Sequence, residues 1–388
     1  MEKMRLHPLH LQVMLTALRK SKLFLIGFSI CGTLSIIALL GYSIAPDNST
    51  NANRIVQDWK NLPPGTQRYF IEIDSSNSTT TASAFKIWLK GNPNPNKILP
   101  ITVIKNNERS IIQTQSPNIN YAIKKPSFDT NYSPISDTSL NRSPDKLTTS
   151  HNNIPSTNHT NVKSITFWLG TDQFGRDVLS RMIIGSRVSL TIGFIAMISS
   201  LLLGVIIGLI SGYYGGLTDK LLSWLIAVFW SVPTLLIAMG LSLFLPKGLY
   251  QVMIATALST WVEVARVVRG QTLQFKEREF IMAAKINGFS AWRIMLIHIL
   301  PNTKGSLTVL ATTNFAAAIL LEAGLGFLGL GVSPPTPTWG MMVKENMGYL
   351  VLDNAYMALI PGFAIMILVM GFNLMSMGLR DLMDTKSN

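Results

Sequence analysis

Ionisable residues are sparse in this 388-residue chain, and where they gather, their spacing limits the chemistry they can do. The densest group lies in Leu169-Gly170-Thr171-Asp172-Gln173-Phe174-Gly175-Arg176-Asp177-Val178-Leu179-Ser180-Arg181. Gly175 permits a tight turn, and Arg176 and Asp177 suit the opening of a short interfacial helix whose charges stay at the headgroup level. Glu263 and Arg266 stand three apart, on one face of an apolar helix. Charge at such depth faces water or an ionic partner. His151 and His159 could share a metal only on a fixed backbone, and the polar tract around them predicts solvation instead, so no metal site is expected. The only cysteine, Cys31, sits in an apolar run, which leaves no disulfide framework or cysteine metal site. There is no Gly-x4-Gly-Lys-Ser/Thr cradle for nucleotide phosphates, no HExxH and no evident nucleophile or carboxylate pair, so no catalytic residue is expected.

Two further runs suit contact rather than reaction. Glu279-Phe280-Ile281-Met282-Ala283-Ala284-Lys285-Ile286-Asn287-Gly288 is followed, after nine residues, by His298-Ile299-Leu300-Pro301-Asn302. The spacing predicts a short helix with Ala283 and Ala284 at close-contact positions, ended by Gly288, then a second helix terminated by Pro301. Further on, Glu322-Ala323-Gly324-Leu325-Gly326-Phe327-Leu328-Gly329-Leu330-Gly331-Val332-Ser333-Pro334-Pro335-Thr336-Pro337-Thr338-Trp339-Gly340 combines repeated glycine with proline. Such a run allows close helix approach and irregular backbone beside a cavity, or a tight re-entrant turn, and Trp339 suits a membrane interface.

The elements that must position these residues are membrane spans. Hydrophobic residues make up 48% of the chain and charged residues 14%, a membrane balance. The net charge of +13 fits cationic loops better than nucleic-acid binding, since no basic stretch is interleaved with aromatics. About 20 apolar residues cross the hydrocarbon, and six such runs occur, at about 23–44, 188–210, 221–245, 249–268, 306–325 and 355–377. Pro233 should kink the third. Lys3, Arg5, Arg19, Lys20 and Lys22 place the tail 1–22 in the cytoplasm. Six crossings return the C-terminus, with Arg380 and Lys386, to that side, and put the loop 269–304 there too. Residues 45–163 form a polar external insert. Within it, 54–114 predicts a small β-rich subdomain from Tyr69–Ile73, Phe85–Leu89, Ile101–Ile104 and Ser110–Ile112. Residues 116–161 predict a mobile tract, and across the whole insert triplets such as Asn48-Ser49-Thr50 and Asn158-His159-Thr160 are chance products of composition.

The loop 279–302 resembles the EAA loop of membrane subunits of ABC importers, with E-A-A, three residues, G, nine residues and I-x-L-P. Met282 stands at the Glu position and His298 at the Ile position. The runs around Gly170–Arg181 and Gly329–Trp339 are similar to those of the dipeptide, oligopeptide and nickel permease family. The resemblance covers the first span and about 163 to the end. It implies an all-α membrane fold of six transmembrane helices around a type I, MetI-like core 164–388, with the insert outside it. It further implies an ATPase-coupling loop of Met282, Ala283, Ala284, Gly288, His298, Leu300 and Pro301. An outer gate at Gly329, Gly331, Pro334, Pro335 and Trp339 would follow, and Glu263 and Arg266 become candidates for the translocation path or for an ion pair. The segment of Gly170, Asp172, Gly175, Arg176, Asp177 and Arg181 serves as topological anchor or substrate contact. The implied protein is a non-catalytic pore subunit of a bacterial inner-membrane peptide importer. Its partners would be a second homologous permease, two ABC ATPases carrying ATP and Mg, an external solute-binding protein and the bilayer. A nickel or other small-solute importer is the alternative; a secondary transporter would show ionisable residues in mid-span and an inverted repeat, and neither is found.

Overall fold

The computed structural model describes residues 21–73, 83–93, 95–106, 109–114, 162–351 and 354–384. The basic tail with Lys3, Arg5, Arg19 and Lys20, the tract 116–161 with His151, Asn158 and His159, and Lys386 lie outside the described residues. The chain divides into two units, residues 46–180 and the remainder.

The larger unit is helical: α1 (Lys22–Ile44), α3 (Val178–Tyr214), α4 (Gly216–Trp230), α5 (Thr234–Phe244), α6 (Leu249–Lys276), α7 (Glu279–Ile286), α8 (Leu300–Phe327), α9 (Trp339–Glu345) and α10 (Tyr356–Asp384); α2 (Ala84–Lys90) belongs to the smaller unit. Among the described residues, five helices are long and apolar enough to span a membrane, and α4 with α5 makes a sixth candidate. The expected single span at 221–245 is instead two helices bent by 91°. Pro233 does more than kink this segment: it lacks an N–H to donate and sits as the N-cap of α5, so α4 stops at Trp230 and a new helix starts.

Small residues set the spacing of the bundle. Gly204, Gly208 and Gly212 recur every fourth position on α3, and a Cβ at Gly208 would lie 2.6 Å from the Ala265 carbonyl oxygen of α6. Side-chain volume there would push the two helices apart, the small-xxx-small logic of membrane helix pairs. Gly27 of α1 meets Gly371 of α10 in the same way, at 2.4 Å from the built Cβ to the carbonyl oxygen.

The smaller unit carries an antiparallel sheet of order β3-β2-β1-β4, from β1 (Thr66–Ile73), β2 (Lys97–Asn106), β3 (Arg109–Thr114) and β4 (Val162–Phe167). Trp59 centres its core, edge-on to Phe70 and Phe167 at 6.3 and 5.4 Å between ring centroids, with Val56 and Leu62 buried beside it. Two sequence expectations are corrected. Phe85–Leu89 forms the helix α2 rather than a strand; Phe85, Trp88 and Leu89 fit a helical face as well as they fit a short apolar strand. The boundary expected at residue 163 between the insert and the permease core falls inside β4, because Phe167 completes the Trp59 cluster.

Candidate functional site

The loop after α6 is organised around α7. Ile281 and Ala284 are buried in a cluster with Leu209, Val264, Val268, Ile294, Met295 and Ile299. Met282, Ala283 and Ile286 face outward, Ile286 being 86% exposed. The two alanines therefore separate: Ala284 packs on its own chain, and only Ala283 is open to a partner, because consecutive helical residues are about 100° apart. Phe280 and Trp292 extend the apolar surface, both about half exposed.

Gly288 ends α7 with φ at 74°. Its N–H donates to the Lys285 carbonyl at 3.0 Å and the Phe289 N–H to the Ala284 carbonyl at 3.1 Å. This is a Schellman cap, which needs a left-handed residue at that position. The His298 ring stacks on Phe289, with centroids 5.8 Å apart. Pro301 does not terminate a helix, as the sequence suggested. Residues Ile294–Ile299 form a π-helical turn, the Leu300 N–H reaches back to the Met295 carbonyl, and α8 continues through Pro301 in its first turn. The wider turn makes room for a ring that would clash with the carbonyl four residues back.

The run Gly170–Arg181 also differs from expectation. Asp172 and Arg176 are buried in the smaller unit rather than held at headgroups. Asp172 accepts from the Phe174 and Arg176 N–H groups at 2.9 and 3.0 Å and from Arg176 Nε at 2.6 Å. Gly175 has φ at 75°, and a Cβ there would lie 1.9 Å from the Val56 carbonyl oxygen. Gly170 likewise has positive φ. Asp177 caps the start of α3, accepting from the Ser180 N–H at 2.9 Å. Burial pushes its carboxyl above the usual range, against the Ser180 hydrogen bonds and with repulsion from Asp47. Arg181, 2% exposed, pairs with Glu345 at 3.0 Å.

At the end of α8, the Gly329 and Leu330 N–H groups donate to the Gly326 and Leu325 carbonyls at 3.0 and 2.8 Å, a second Schellman cap. Gly331 packs on Gly326: a Cβ there would lie 2.6 Å from the Gly326 Cα. Pro334 and Pro335 are exposed. Trp339 is not an interfacial side chain. It is buried, and its indole Nε1 donates to the Met182 carbonyl at 3.0 Å, the partner a buried indole requires.

Glu263 and Arg266 are both exposed and do not pair with each other. Arg266 instead covers the Trp230 ring at 3.3 Å from its centroid. Sequence reading missed two polar clusters. Asp219 binds Arg269 through two hydrogen bonds of 2.6 and 2.7 Å, and fully buried Glu322 accepts from the Ser189 hydroxyl at 3.0 Å. An acid inside an apolar span was the available signal for Glu322; nothing in the spacing linked Asp219 to Arg269, fifty positions away. Among the described residues, no three His, Cys, Asp or Glu side chains gather as a metal site would require.

The family described as binding-protein-dependent transport system inner membrane component matches residues 204–387. A dipeptide transport system permease protein of Alkalihalophilus pseudofirmus is 42% identical over 219 residues, which are 56% of this chain and 72% of the relative. An oligopeptide transport system permease protein of Bacillus subtilis is 41% identical, with the same two shares. A glutathione transport system permease protein of Pectobacterium atrosepticum is 36% identical, again covering 56% of this chain and 72% of the relative.

Proposed function

Because the chain belongs to the binding-protein-dependent inner membrane components, as an ABC importer permease of the dipeptide and oligopeptide family, we propose that it forms half of a peptide-conducting pore driven by separate ATPases through α7. The observation that carries this reading is the two-sided character of α7. Its inner side is fixed to the bundle by Ile281 and Ala284, and its outer side presents Met282, Ala283 and Ile286, which no described residue of this chain covers. A short apolar ridge with a small residue at its centre suits a cleft in a partner.

The route from docking to gate is mechanical. A push on α7 is passed through Ile281 and Ala284 to Val264 and Val268 of α6 and to the π-helical turn before α8. α8 has 28 residues and so is a rod of about 42 Å. Its far end carries the glycine cap and, through Ser189 and Trp339, the contact with α3. ATP and Mg act on the partner ATPases, whose closure would swing α7 and so move the Gly329–Trp339 gate.

The substrate assignment rests on the relatives' names, dipeptide, oligopeptide and glutathione permeases. A nickel or other small-solute importer would use the same coupling parts. The second half of the pore is a homologous permease, and an external binding protein delivers substrate. Both termini are cytoplasmic and the insert is external on this reading. Glu263 is the acid this chain contributes to the path, where an open, unpaired carboxylate meets the cationic end of a peptide. In reconstituted vesicles, Glu263→Gln is expected to raise the transport KM for peptides several-fold while ATP hydrolysis without substrate stays unchanged. An unaltered KM would remove Glu263 from the path.

A further inference from the structure

Helix α2 of the insert buries none of its residues. Phe85, Trp88 and Leu89 fall on one face at the i, i+3, i+4 positions, and Phe85 and Leu89 are 68% and 44% exposed. The Phe85 and Trp88 rings stack with centroids 5.8 Å apart, which gives the face a continuous aromatic surface. Lys86 and Lys90 flank it, four residues apart. From Ser83 to Asn106 the chain carries four lysines and no acid. An aromatic and leucine face bordered by lysines, in a stretch of sequence without an acid, matches the boundary between acyl chains and anionic headgroups.

The hydrogen bonds within the insert explain why a bilayer is within reach. Asn92, two residues past α2, donates from its N–H to the Asn48 carbonyl at 2.8 Å and accepts from the Thr50 N–H at 3.1 Å. Asn48 is four residues beyond Ile44, where α1 ends. Since a chain extends at most about 3.5 Å per residue, these hydrogen bonds and the four-residue link from Ile44 to Asn48 keep Asn92 within roughly 20 Å of the end of a membrane span. A second exposed aromatic has a similar tether. Trp168 is 66% exposed, and Gly170, two residues on, accepts from the N–H of Val178, the first residue of α3, at 3.2 Å.

We propose that α2 lies in the headgroup layer of the bilayer around the spans, with Phe85, Trp88 and Leu89 toward the acyl chains and Lys86 and Lys90 on lipid phosphates. On this proposal the insert contacts lipid through α2 rather than standing as a free external domain. The test uses the assembled transporter in nanodiscs containing phosphatidylglycerol, in a Cys31→Ser background. Nitroxide labels are placed at Phe85→Cys and Leu89→Cys on the aromatic face and at Lys86→Cys beside it. The ratio of collisions with oxygen to collisions with a water-soluble nickel chelate is expected to be several-fold higher at 85 and 89 than at 86. Equal, water-like ratios at all three would overturn the proposal. So would protection of 85 and 89 from both reagents, which would mean that a protein surface covers them.

Discussion

Gly288 is the residue at which one added methyl group is expected to act most cleanly. A Cβ there meets no atom within 4 Å, so the cost of Gly288→Ala is backbone strain alone, about 1–2 kcal/mol in the left-handed region. Gly288→Val adds β-branching and should detach the end of α7. Peptide uptake is expected to fall with each step, and normal uptake by the valine variant would contradict the role given to the cap. Met282→Glu, on the exposed face, should leave stability within about 0.5 kcal/mol and leave coupling intact or improved. Two carboxyls of the smaller unit should respond to pH in opposite senses. The hydrogen bond from Lys163 holds Glu72 below the usual carboxylate range. Its contribution is present above the unfolded value of about 4.3 and is lost as pH falls through the lower folded value. Asp177 is raised by burial, so its ionisation withdraws stability as pH rises from the unfolded value of about 3.9. Hydrogen exchange at the Trp59–Phe70 core should show Asp177→Asn protecting it at neutral pH, and Glu72→Gln flattening the loss in acid. Gly288 was legible in the sequence because a helix stop has its own chemistry. The separation of Ala283 from Ala284 was not, because it depends on which side of α7 faces Val264 and Val268.

Among the elements, apolar length was the readable quantity. Five spans and a broken sixth follow from runs of about 20 apolar residues, whereas breaks and register depend on backbone donors and neighbours. Pro233 and Pro301 have the same missing N–H, yet one divides a span and the other enters a helix. The difference is the π-helical turn Ile294–Ile299, packed on α7, which no spacing rule shows. The insert was read as β-rich from its alternating runs, but Val162–Phe167 joins the sheet from beyond the long tract, a pairing that local pattern does not carry. Trp339 looked interfacial because tryptophan often is; the Met182 carbonyl is what draws it inward. Trp339→Phe should destabilise the α3–α9 contact by about 1 kcal/mol through loss of that hydrogen bond, and a thermal melt of the solubilised complex would register it. An unchanged melting temperature would show that packing, not the hydrogen bond, holds the loop that ends at Trp339.

At the scale of the whole molecule, the proposed coupling joins a docking ridge at one end of α8 to a glycine-capped gate at the other, through the buried cluster under α7. Mechanical coupling of this kind requires the outer face of α7 to be covered by the ATPase. Ile286 isolates that requirement, since its side chain is 86% exposed and lies outside the buried cluster; an aspartate there leaves the bundle intact while placing a charge in the docking cleft. The most direct measurement is co-isolation of the ATPase subunits with Ile286→Asp, alongside ATP-driven peptide uptake in vesicles. A loss of one to two orders of magnitude in ATPase retention, equivalent to about 1.4–2.8 kcal/mol, with uptake falling in parallel, is the predicted result. Full retention of the ATPase together with normal uptake would contradict the account.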